Sequence, residues 1–195
     1  MSKLTIDQVV DEIPFHAKVL DLGCGSGDLL FELINRKHVI GYGIDINSDN
    51  ILTCLKKDIN VMQVNLDEGL TQFSDYSFDY VIFSQTLQEV QHPLHILREI
   101  LRIGKKCIIT FPNFAFISNR FQIMLGMTPK QSALPYDWFE TPNIRFLSIK
   151  DFKDLCRREG ICIQKQLSSI PAMFENIFSD RGKFIISKQI GGKND

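Results

Sequence analysis

The chain lacks an excess of charge and a paired set of cysteines. Its 195 residues carry 22 lysines and arginines against 23 aspartates and glutamates, a formal net charge of -1. This balance disfavours nucleic-acid binding, because no strongly basic surface is available to neutralise phosphates. The five cysteines are odd in number and include no CxxC pair, so neither a zinc ribbon nor a disulfide framework is expected.

Long apolar runs are missing as well. The most apolar stretch, residues 107–117, is interrupted by Pro112 and Asn113 and is too short to span a bilayer. Residues 1–11 contain no apolar core like that of a signal peptide. We therefore expect a cytoplasmic protein that does not act on a membrane. Metal-ligand spacings and the nucleophile elbow of hydrolases are also absent, so neither a metal site nor acyl transfer by this chain itself is expected.

Apolar, β-rich runs alternate with helical spacings along the chain. This alternation predicts a three-layer, doubly wound α/β fold with a mostly parallel sheet. The length favours a single domain over residues 1–195. The predicted strands are residues 18–22, 39–44, 60–64, 79–83, 105–111, 161–167 and 183–187. The predicted helices are residues 5–13, 28–36, 47–58, 93–103 and a helix that begins near Ser148.

One segment breaks the alternation. Residues 111–147 show no clean strand–helix pattern, yet they hold four of the seven prolines and eight of the 20 aromatic residues. An ordinary loop is poor in such groups, so this insert is expected to bury against the body of the protein, a ligand or another chain. The aromatic residues are Phe111, Phe114, Phe116, Phe121, Tyr136, Trp138, Phe139 and Phe146.

The first predicted strand runs directly into a glycine-rich turn. Residues 21–27 read DLGCGSG, and the glycines Gly23, Gly25 and Gly27 precede a predicted helix. Glycines at these positions permit a tight turn and let a ligand approach the backbone closely. The turn follows the carboxyl end of a strand, where open α/β sheets bind ligands. Taken alone, the pattern is also explained by a tight strand–helix turn without a ligand.

An acidic residue ends the second predicted strand. Asp45 is placed to accept both hydroxyls of an adenosine ribose, or alternatively to cap the next helix, although Asn47 or Ser48 is better placed as a cap. The third glycine comes one residue too early for a dinucleotide motif, and Asp28 would repel a pyrophosphate at the helix N-terminus. S-adenosylmethionine suits this turn better, because it carries a sulfonium and an ammonium but no phosphate.

Two stretches resemble class I S-adenosylmethionine-dependent methyltransferases: DLGCGSG is similar to their motif I, and SFDYVI at residues 77–82 to the start of their fourth strand. The resemblance implies a seven-stranded sheet whose last strand is antiparallel. It also implies that the glycines lie beside the methionine part of the cofactor, that Asp45 holds the ribose and that residues 65–67 border the adenine. S-adenosylhomocysteine would be the product or bound form. The implied cofactor-binding residues are Asp21, Gly23, Gly25, Gly27, Asp45, Ile46, Asn65, Leu66, Ser84 and Gln85.

Three further motifs resemble signature stretches of the MetW proteins of bacterial methionine biosynthesis: SQTLQ at residues 84–88, FPNF at 111–114 and LPYDWFETPNI at 134–144. The third motif is the most specific. The resemblance extends from about residue 18 to 160 and implies a role beside homoserine O-acyltransferase, as a partner needed for full activity. We expect the insert 111–147 to make that contact. Binding of S-adenosylmethionine would then report methionine status to the acyltransferase.

No residue is identified as catalytic. Methyl transfer needs positioning above all, and no Asn/Asp-Pro-Pro-aromatic motif follows the fourth strand, which argues against amino-group methylation of adenine. His92 and His95 are conceivable bases, but a solvated helix start explains them more simply. The alternative function is a catalytically active methyltransferase acting on a small molecule, with the insert as a substrate lid. An insert packed without any partner, and an NAD-dependent oxidoreductase, are the remaining interpretations.

Overall fold

The computed structural model describes residues 3–189, in which strands and helices alternate as far as the fifth strand. A short 3-10 helix, Leu66–Glu68, follows the third strand. The strands are β1 (Lys18–Leu22), β2 (Ile40–Asp45), β3 (Asn60–Gln63), β4 (Phe78–Ser84), β5 (Gly104–Pro112), β6 (Ile161–Gln166) and β7 (Arg181–Lys188). The α-helices are α1 (Lys3–Glu12), α2 (Asp28–Lys37), α3 (Ser48–Leu55), α4 (Pro93–Ile103), α5 (Ile117–Met124), α6 (Ile149–Arg158) and α7 (Glu175–Phe178).

The strands form one seven-stranded sheet in the order β3-β2-β1-β4-β5-β7-β6. β1 pairs in parallel with β2 and β4, and β2 pairs in parallel with β3. β6 and β7 pair antiparallel. All seven predicted strands are present, with ends that differ by at most two residues. The predicted doubly wound, mostly parallel α/β fold is therefore confirmed.

The chain divides into two compact units. Within the described range, the first unit comprises residues 3–84 and 92–108, and the second comprises residues 85–91 and 109–189. The insert 111–147 therefore belongs to the second unit. The organisation as a single domain stays a prediction.

In the first unit, β1 is almost fully buried, and its burial fixes where the following turn begins. Val19, Leu20 and Leu22 have no exposed surface, as expected for a parallel strand covered on both faces. Helix α2 buries Leu29, Leu30 and Leu33. The packing of this strand and helix positions the glycine turn between them at the carboxyl edge of the sheet.

A cluster of three phenylalanines forms the core of the second unit. The ring centroids of Phe111 and Phe152, and those of Phe152 and Phe184, are 5.0 Å apart. A Cβ atom at Gly182 would lie 2.3 Å from Cζ of Phe111, so the cluster requires glycine at that position. Ser148 precedes helix α6 and forms a reciprocal capping box with Asp151, which confirms the prediction of a helix that begins near Ser148.

The insert contains a helix that the sequence analysis did not predict. Helix α5 buries a polar residue, Asn119, and exposes Phe121 and Met124, so its hydrophobic pattern lacks the usual helical period. The insert also leaves Trp138 and Phe139 more than half exposed. Packing against the core of the second unit therefore accounts for only some of the aromatic residues of the insert. Between residues 3 and 189, no helix is both long and apolar enough to cross a membrane.

Candidate functional site

The glycine turn is a tight, hydrogen-bonded connection between β1 and α2. The backbone N–H groups of Gly23 and Cys24 both donate to the carbonyl of Ile44, at 2.8 and 2.9 Å. Gly27 begins α2 with φ 75°, in the left-handed region that favours glycine. A Cβ atom at Gly27 would lie 2.7 Å from Cδ1 of Ile59. Both its conformation and its close contact therefore explain the third glycine of the motif.

Asp45 lies at the end of β2 and binds directly to this turn. Its side chain is only 8% exposed, and Oδ2 accepts a hydrogen bond from the N–H of Gly25 at 2.8 Å. Oδ1 accepts from the N–H of Asn47 at 2.9 Å and from Nδ2 of Asn50 at 3.1 Å. A carboxylate offers about four acceptor positions, so three are occupied. Holding both ribose hydroxyls would require the Asn50 amide to move away.

The helix cap belongs to another residue. The side chain of Asn47 accepts hydrogen bonds from the backbone N–H groups of Asp49 and Asn50, at 2.7 and 3.4 Å, and so caps α3. Of the two roles considered for Asp45, that of helix cap is therefore taken by Asn47. The Asp45 carboxylate instead joins the glycine turn to the start of α3 through Gly25, Asn47 and Asn50.

A second carboxyl group lies one strand away. Asp21 is buried in β1 with only 3% of its surface exposed. Burial, and to a lesser extent the charge of Asp45, raises the pKa of Asp21 to about 7. Near neutral pH, Asp21 is therefore shared between its neutral and ionised forms, and a cation bound nearby would favour the ionised form.

Asp28 does not present an unpaired negative charge. Its carboxylate forms an ion pair with Lys57 and accepts a hydrogen bond from the hydroxyl of Ser26 at 2.8 Å. The hydrogen bond from Lys57 lowers the pKa of Asp28, so the group is ionised but paired at neutral pH. The sequence-based argument that Asp28 would repel a pyrophosphate is therefore wrong, because that argument ignored Lys57.

Three side chains that the sequence analysis did not single out hold the turn from one side. Asn50 contacts Asp45, the thiol of Cys54 donates to the carbonyl of Gly25 at 3.3 Å, and Nζ of Lys57 donates to the carbonyl of Ser26 at 2.8 Å. Residues 50, 54 and 57 are spaced by four and three, so they share one face of α3 and the turn after it. This helical spacing is the sequence pattern that indicates a shared face for the three residues.

The other predicted residues of the first unit lie at carboxyl ends of neighbouring strands. Ile46 follows β2 and is 63% exposed, and Ser84 ends β4 and is buried. Leu66 is buried in the 3-10 helix after β3. The side chain of Asn65 caps that helix by accepting from the N–H of Asp67 at 3.1 Å. Because β3, β2, β1 and β4 are adjacent in that order, their carboxyl ends form one edge of the sheet.

Gln85 belongs to the second unit and has an unusual backbone. Its φ of 57° lies in the left-handed region, which costs a residue other than glycine roughly 1 kcal/mol. Two bonds to Thr110 stabilise it: the N–H of Gln85 donates to the Thr110 carbonyl at 2.9 Å, and Nε2 to Thr110 Oγ1 at 3.2 Å. Strain of this kind is concentrated at functional sites.

The two histidines considered as bases lie at an exposed helix start. His92 precedes α4 and donates its backbone N–H to Oδ1 of Asp67 at 3.1 Å, and its side chain forms no cap bond. His95 is exposed in the first turn of the same helix. This placement agrees with the simpler interpretation of a solvated helix start, and no catalytic residue is assigned.

The sequence matches a known family over most of its length. The profile described as methionine biosynthesis protein MetW matches residues 4–186. The bifunctional methionine biosynthesis protein MetXA/MetW of Rhodopirellula baltica is 36% identical over 176 residues, which cover 84% of this chain and 28% of that protein. The chain therefore spans little more than a quarter of that relative. Demethylmenaquinone methyltransferase of Bacillus cytotoxicus is 33% identical over 179 residues, 85% of this chain and 69% of that enzyme.

Solved structures share the fold. Magnesium protoporphyrin IX methyltransferase (ChlM) from Synechocystis PCC 6803, with S-adenosylhomocysteine bound, has a TM-score of 0.67 and 16% identity over 95% of this chain and 82% of that chain. A SAM-dependent methyltransferase from Archaeoglobus fulgidus has a TM-score of 0.64 and 18% identity over 95% and 94%. At these identities the likeness shows a common methyltransferase fold.

Proposed function

The chain belongs to the MetW family of methionine biosynthesis proteins, within the class I methyltransferase superfamily, and we propose that it binds S-adenosylmethionine and acts with a homoserine O-acyltransferase as its partner. The observation that carries the cofactor assignment is the hydrogen bond between Asp45 and Gly25, which joins a carboxylate to the glycine turn. We further propose a cytoplasmic location, in keeping with the five free cysteines.

The charge and shape of the turn support a cationic nucleoside ligand. Asp21 and Asp45 place two buried carboxyl groups at adjacent strand ends, and a Cβ atom at Gly25 would meet nothing within 4 Å, so the backbone there is open to a ligand. The sulfonium and ammonium of S-adenosylmethionine would be attracted to this pair, and its ribose hydroxyls can donate to Asp45. The remaining predicted contacts, from Gly23, Gly27, Ile46, Asn65, Leu66, Ser84 and Gln85, form part of this proposal.

The partnership is supported by the relative from Rhodopirellula baltica, whose name assigns MetXA and MetW to one bifunctional chain. Two activities joined in one chain commonly act together, so separate chains of the same families are expected to associate. We propose that the MetX-type acyltransferase meets this chain at the insert 111–147. Cofactor occupancy would then be communicated to the partner.

The insert has the features of a docking surface. Trp138 is 72% exposed and Phe139 is 66% exposed, and aromatic side chains of this kind dominate the energetics of protein interfaces. The backbone around them is internally bonded: the N–H of Glu140 donates to the carbonyl of Asp137 at 3.1 Å, and Nζ of Lys130 donates to Oδ1 of Asp137 at 2.9 Å. A supported backbone with exposed aromatic residues loses little entropy on binding.

Calorimetric titration tests the cofactor assignment. Wild-type protein should bind S-adenosylmethionine and S-adenosylhomocysteine in preference to NAD. Asp45→Ala should weaken binding roughly a hundredfold, because two hydrogen bonds to a charged acceptor are lost. Asp49→Ala is the matched control, since Asp49 is exposed four residues away. Preference for NAD, or unchanged affinity in Asp45→Ala, would contradict the assignment.

Co-purification with the acyltransferase tests the partnership. The complex should form with wild-type protein and raise the rate of homoserine acylation. A double variant, Tyr136→Ala with Trp138→Ala, should lose both effects because the exposed aromatic contacts are removed. Phe15→Ala is the control, since Phe15 is a comparably exposed aromatic residue of the first unit. An intact complex with the double variant would move the contact away from these residues.

The alternative is a catalytically active methyltransferase acting on a small molecule. The identity with demethylmenaquinone methyltransferase over 85% of the chain favours it. Incubation of the protein with methyl-labelled cofactor and cell extract should then label a small product. If the protein instead acts only with the acyltransferase, no labelled product should form, and adding the protein should still raise the rate of homoserine acylation.

A further inference from the structure

The hydrogen bonds that Asp45 already accepts limit how it can bind a ribose. Each oxygen of a carboxylate accepts about two hydrogen bonds. Oδ1 accepts from the N–H of Asn47 at 2.9 Å and from Nδ2 of Asn50 at 3.1 Å, so both of its positions are taken. Oδ2 accepts from the N–H of Gly25 at 2.8 Å, which leaves one position. Two ribose hydroxyls need two positions, so one of these three donors has to leave.

Asn50 is the donor that can leave without a change in the backbone. Gly25 and Asn47 donate from main-chain nitrogens, whereas Asn50 donates from a side chain that is only partly buried. Among residues 3–189, Asp45 is the sole hydrogen-bond partner of the Asn50 amide group. Rotation of the Asn50 side chain would therefore free one position on Oδ1 and break no other hydrogen bond.

The glycine turn and the start of α3 keep their other support when the Asn50 amide leaves. The side chain of Asn47 still accepts the backbone N–H groups of Asp49 and Asn50, which cap the helix. The thiol of Cys54 and Nζ of Lys57 still donate to carbonyls of the turn. The bond between Asn50 and Asp45 is therefore not required to hold either segment in place.

We propose that Asn50 competes with one ribose hydroxyl for Oδ1 of Asp45 and thereby lowers the affinity of the site for nucleosides. The inference rests on the proposed cofactor function, in which both hydroxyls donate to Asp45. The first hydroxyl adds a hydrogen bond at Oδ2. The second replaces the Asn50 amide at Oδ1, so one bond to the carboxylate forms while another breaks, and its net contribution is close to zero. Asn50 thus makes the site tolerant of a nucleoside that lacks this second hydroxyl.

Calorimetric titration of Asn50→Ala with S-adenosylhomocysteine tests the competition. The variant should bind this ligand roughly tenfold more tightly than wild type, because no hydrogen bond has to break at Oδ1. Asn35→Ala makes the same change at an exposed position of α2 and should leave the affinity unchanged. Equal or weaker binding by Asn50→Ala would overturn the proposal, since Asn50 would then support the ligand or have no effect on it.

Deoxynucleoside ligands test the same idea on the wild-type protein, without any substitution. The probes are the 2′-deoxy and 3′-deoxy analogues of S-adenosylhomocysteine. With wild type, the analogue that lacks the competing hydroxyl should bind within about twofold of the parent compound, and the other roughly tenfold more weakly. With Asn50→Ala, both analogues should bind roughly tenfold more weakly than the parent. A loss of that size for both analogues with wild-type protein would overturn the proposal.

A double-mutant cycle separates this proposal from the cofactor assignment. Asp45→Ala should weaken binding of S-adenosylhomocysteine roughly tenfold more in the Asn50→Ala background than in wild type, because the competition disappears with either side chain. Equal losses in the two backgrounds, with clear binding by wild type, would overturn the competition and leave the cofactor assignment intact. Absence of binding by wild type would overturn both.

Discussion

Asp21 allows a direct test of the electrostatics at the end of β1. Burial of this carboxyl group, with the nearby charge of Asp45, raises its pKa from 3.8 to about 7 in the folded protein. In the unfolded chain the group titrates near pH 4. Between these two values, the folded protein holds a proton on Asp21 that the unfolded chain has already lost. The free energy of unfolding must therefore depend on pH in this window.

The direction follows from which pKa is higher. Because the folded-state pKa of Asp21 is the raised one, the group destabilises the protein progressively as the pH rises from about 4 to about 7. A difference of about three pKa units corresponds to roughly 4 kcal/mol. Asp21→Asn removes the titration. Relative to wild type, the variant should gain roughly 4 kcal/mol in unfolding free energy between pH 4 and pH 8.

Urea unfolding of wild type and Asp21→Asn at several pH values from 4 to 8 measures this gain. Asp79→Asn is an informative control, because hydrogen bonds from Lys105 and Lys18 lower the pKa of Asp79. That carboxylate stabilises the folded state above its unfolded pKa, and the contribution is lost only as the pH falls below about 4, so Asp79→Asn should lower the free energy of unfolding by a nearly constant amount from pH 5 to 8. Parallel stability curves for wild type and Asp21→Asn between pH 4 and 7 would refute the reasoning.

Further substitutions test the packing. Gly27→Ala should lower the free energy of unfolding by roughly 2–4 kcal/mol, because the position has φ 75° and an added Cβ meets Ile59 at 2.7 Å. Gly25→Ala, at φ 56° but in open space, should cost only about 1 kcal/mol, and equal losses in urea unfolding would contradict the close contact at Gly27. Ser148→Ala should cost about 1 kcal/mol by removing the cap of α6, and Ser148→Thr, which keeps the hydroxyl, should restore most of it in the same measurement.

The sheet could be predicted from the sequence because most of its strands can be identified from the residues of each strand and of the segments next to it. Strands β1, β2, β4 and β5 are rich in apolar residues and lie next to segments of helical spacing. Helix α5 could not be predicted, because its buried residue is the polar Asn119 while Met124 is 80% exposed. A helix whose apolar residues face solvent gives no amphipathic signal.

The glycine turn was also predictable, but the side chains that hold it were not. Gly25 and Asp45 were identified because each follows a strand that a local pattern reveals. Lys57 comes 31 residues after Ser26, and its bond to the Ser26 carbonyl depends on the packing of α3 against the turn. The helical spacing of residues 50, 54 and 57 indicates only that they share one face, and which segment that face contacts depends on packing between positions far apart in the chain. Sequence reasoning therefore identified the candidate ligand-binding residues Gly25 and Asp45 and missed the side chains that support the turn.

The ion pair between Asp28 and Lys57 changes which residues would give the site its proposed preference for a cationic ligand over a phosphate. With Asp28 paired to Lys57, the first turn of α2 carries little net charge, and a phosphate there would meet no unpaired carboxylate on the helix. The turn is instead flanked by Asp45, whose Oδ2 already binds Gly25, and by Asp21 one strand away. An approaching phosphate would compete with Asp45 for the Gly25 N–H and would raise the cost of ionising Asp21. A sulfonium and ammonium would instead lower that cost, so the proposed preference for a cationic nucleoside rests on Asp21 and Asp45 rather than on Asp28.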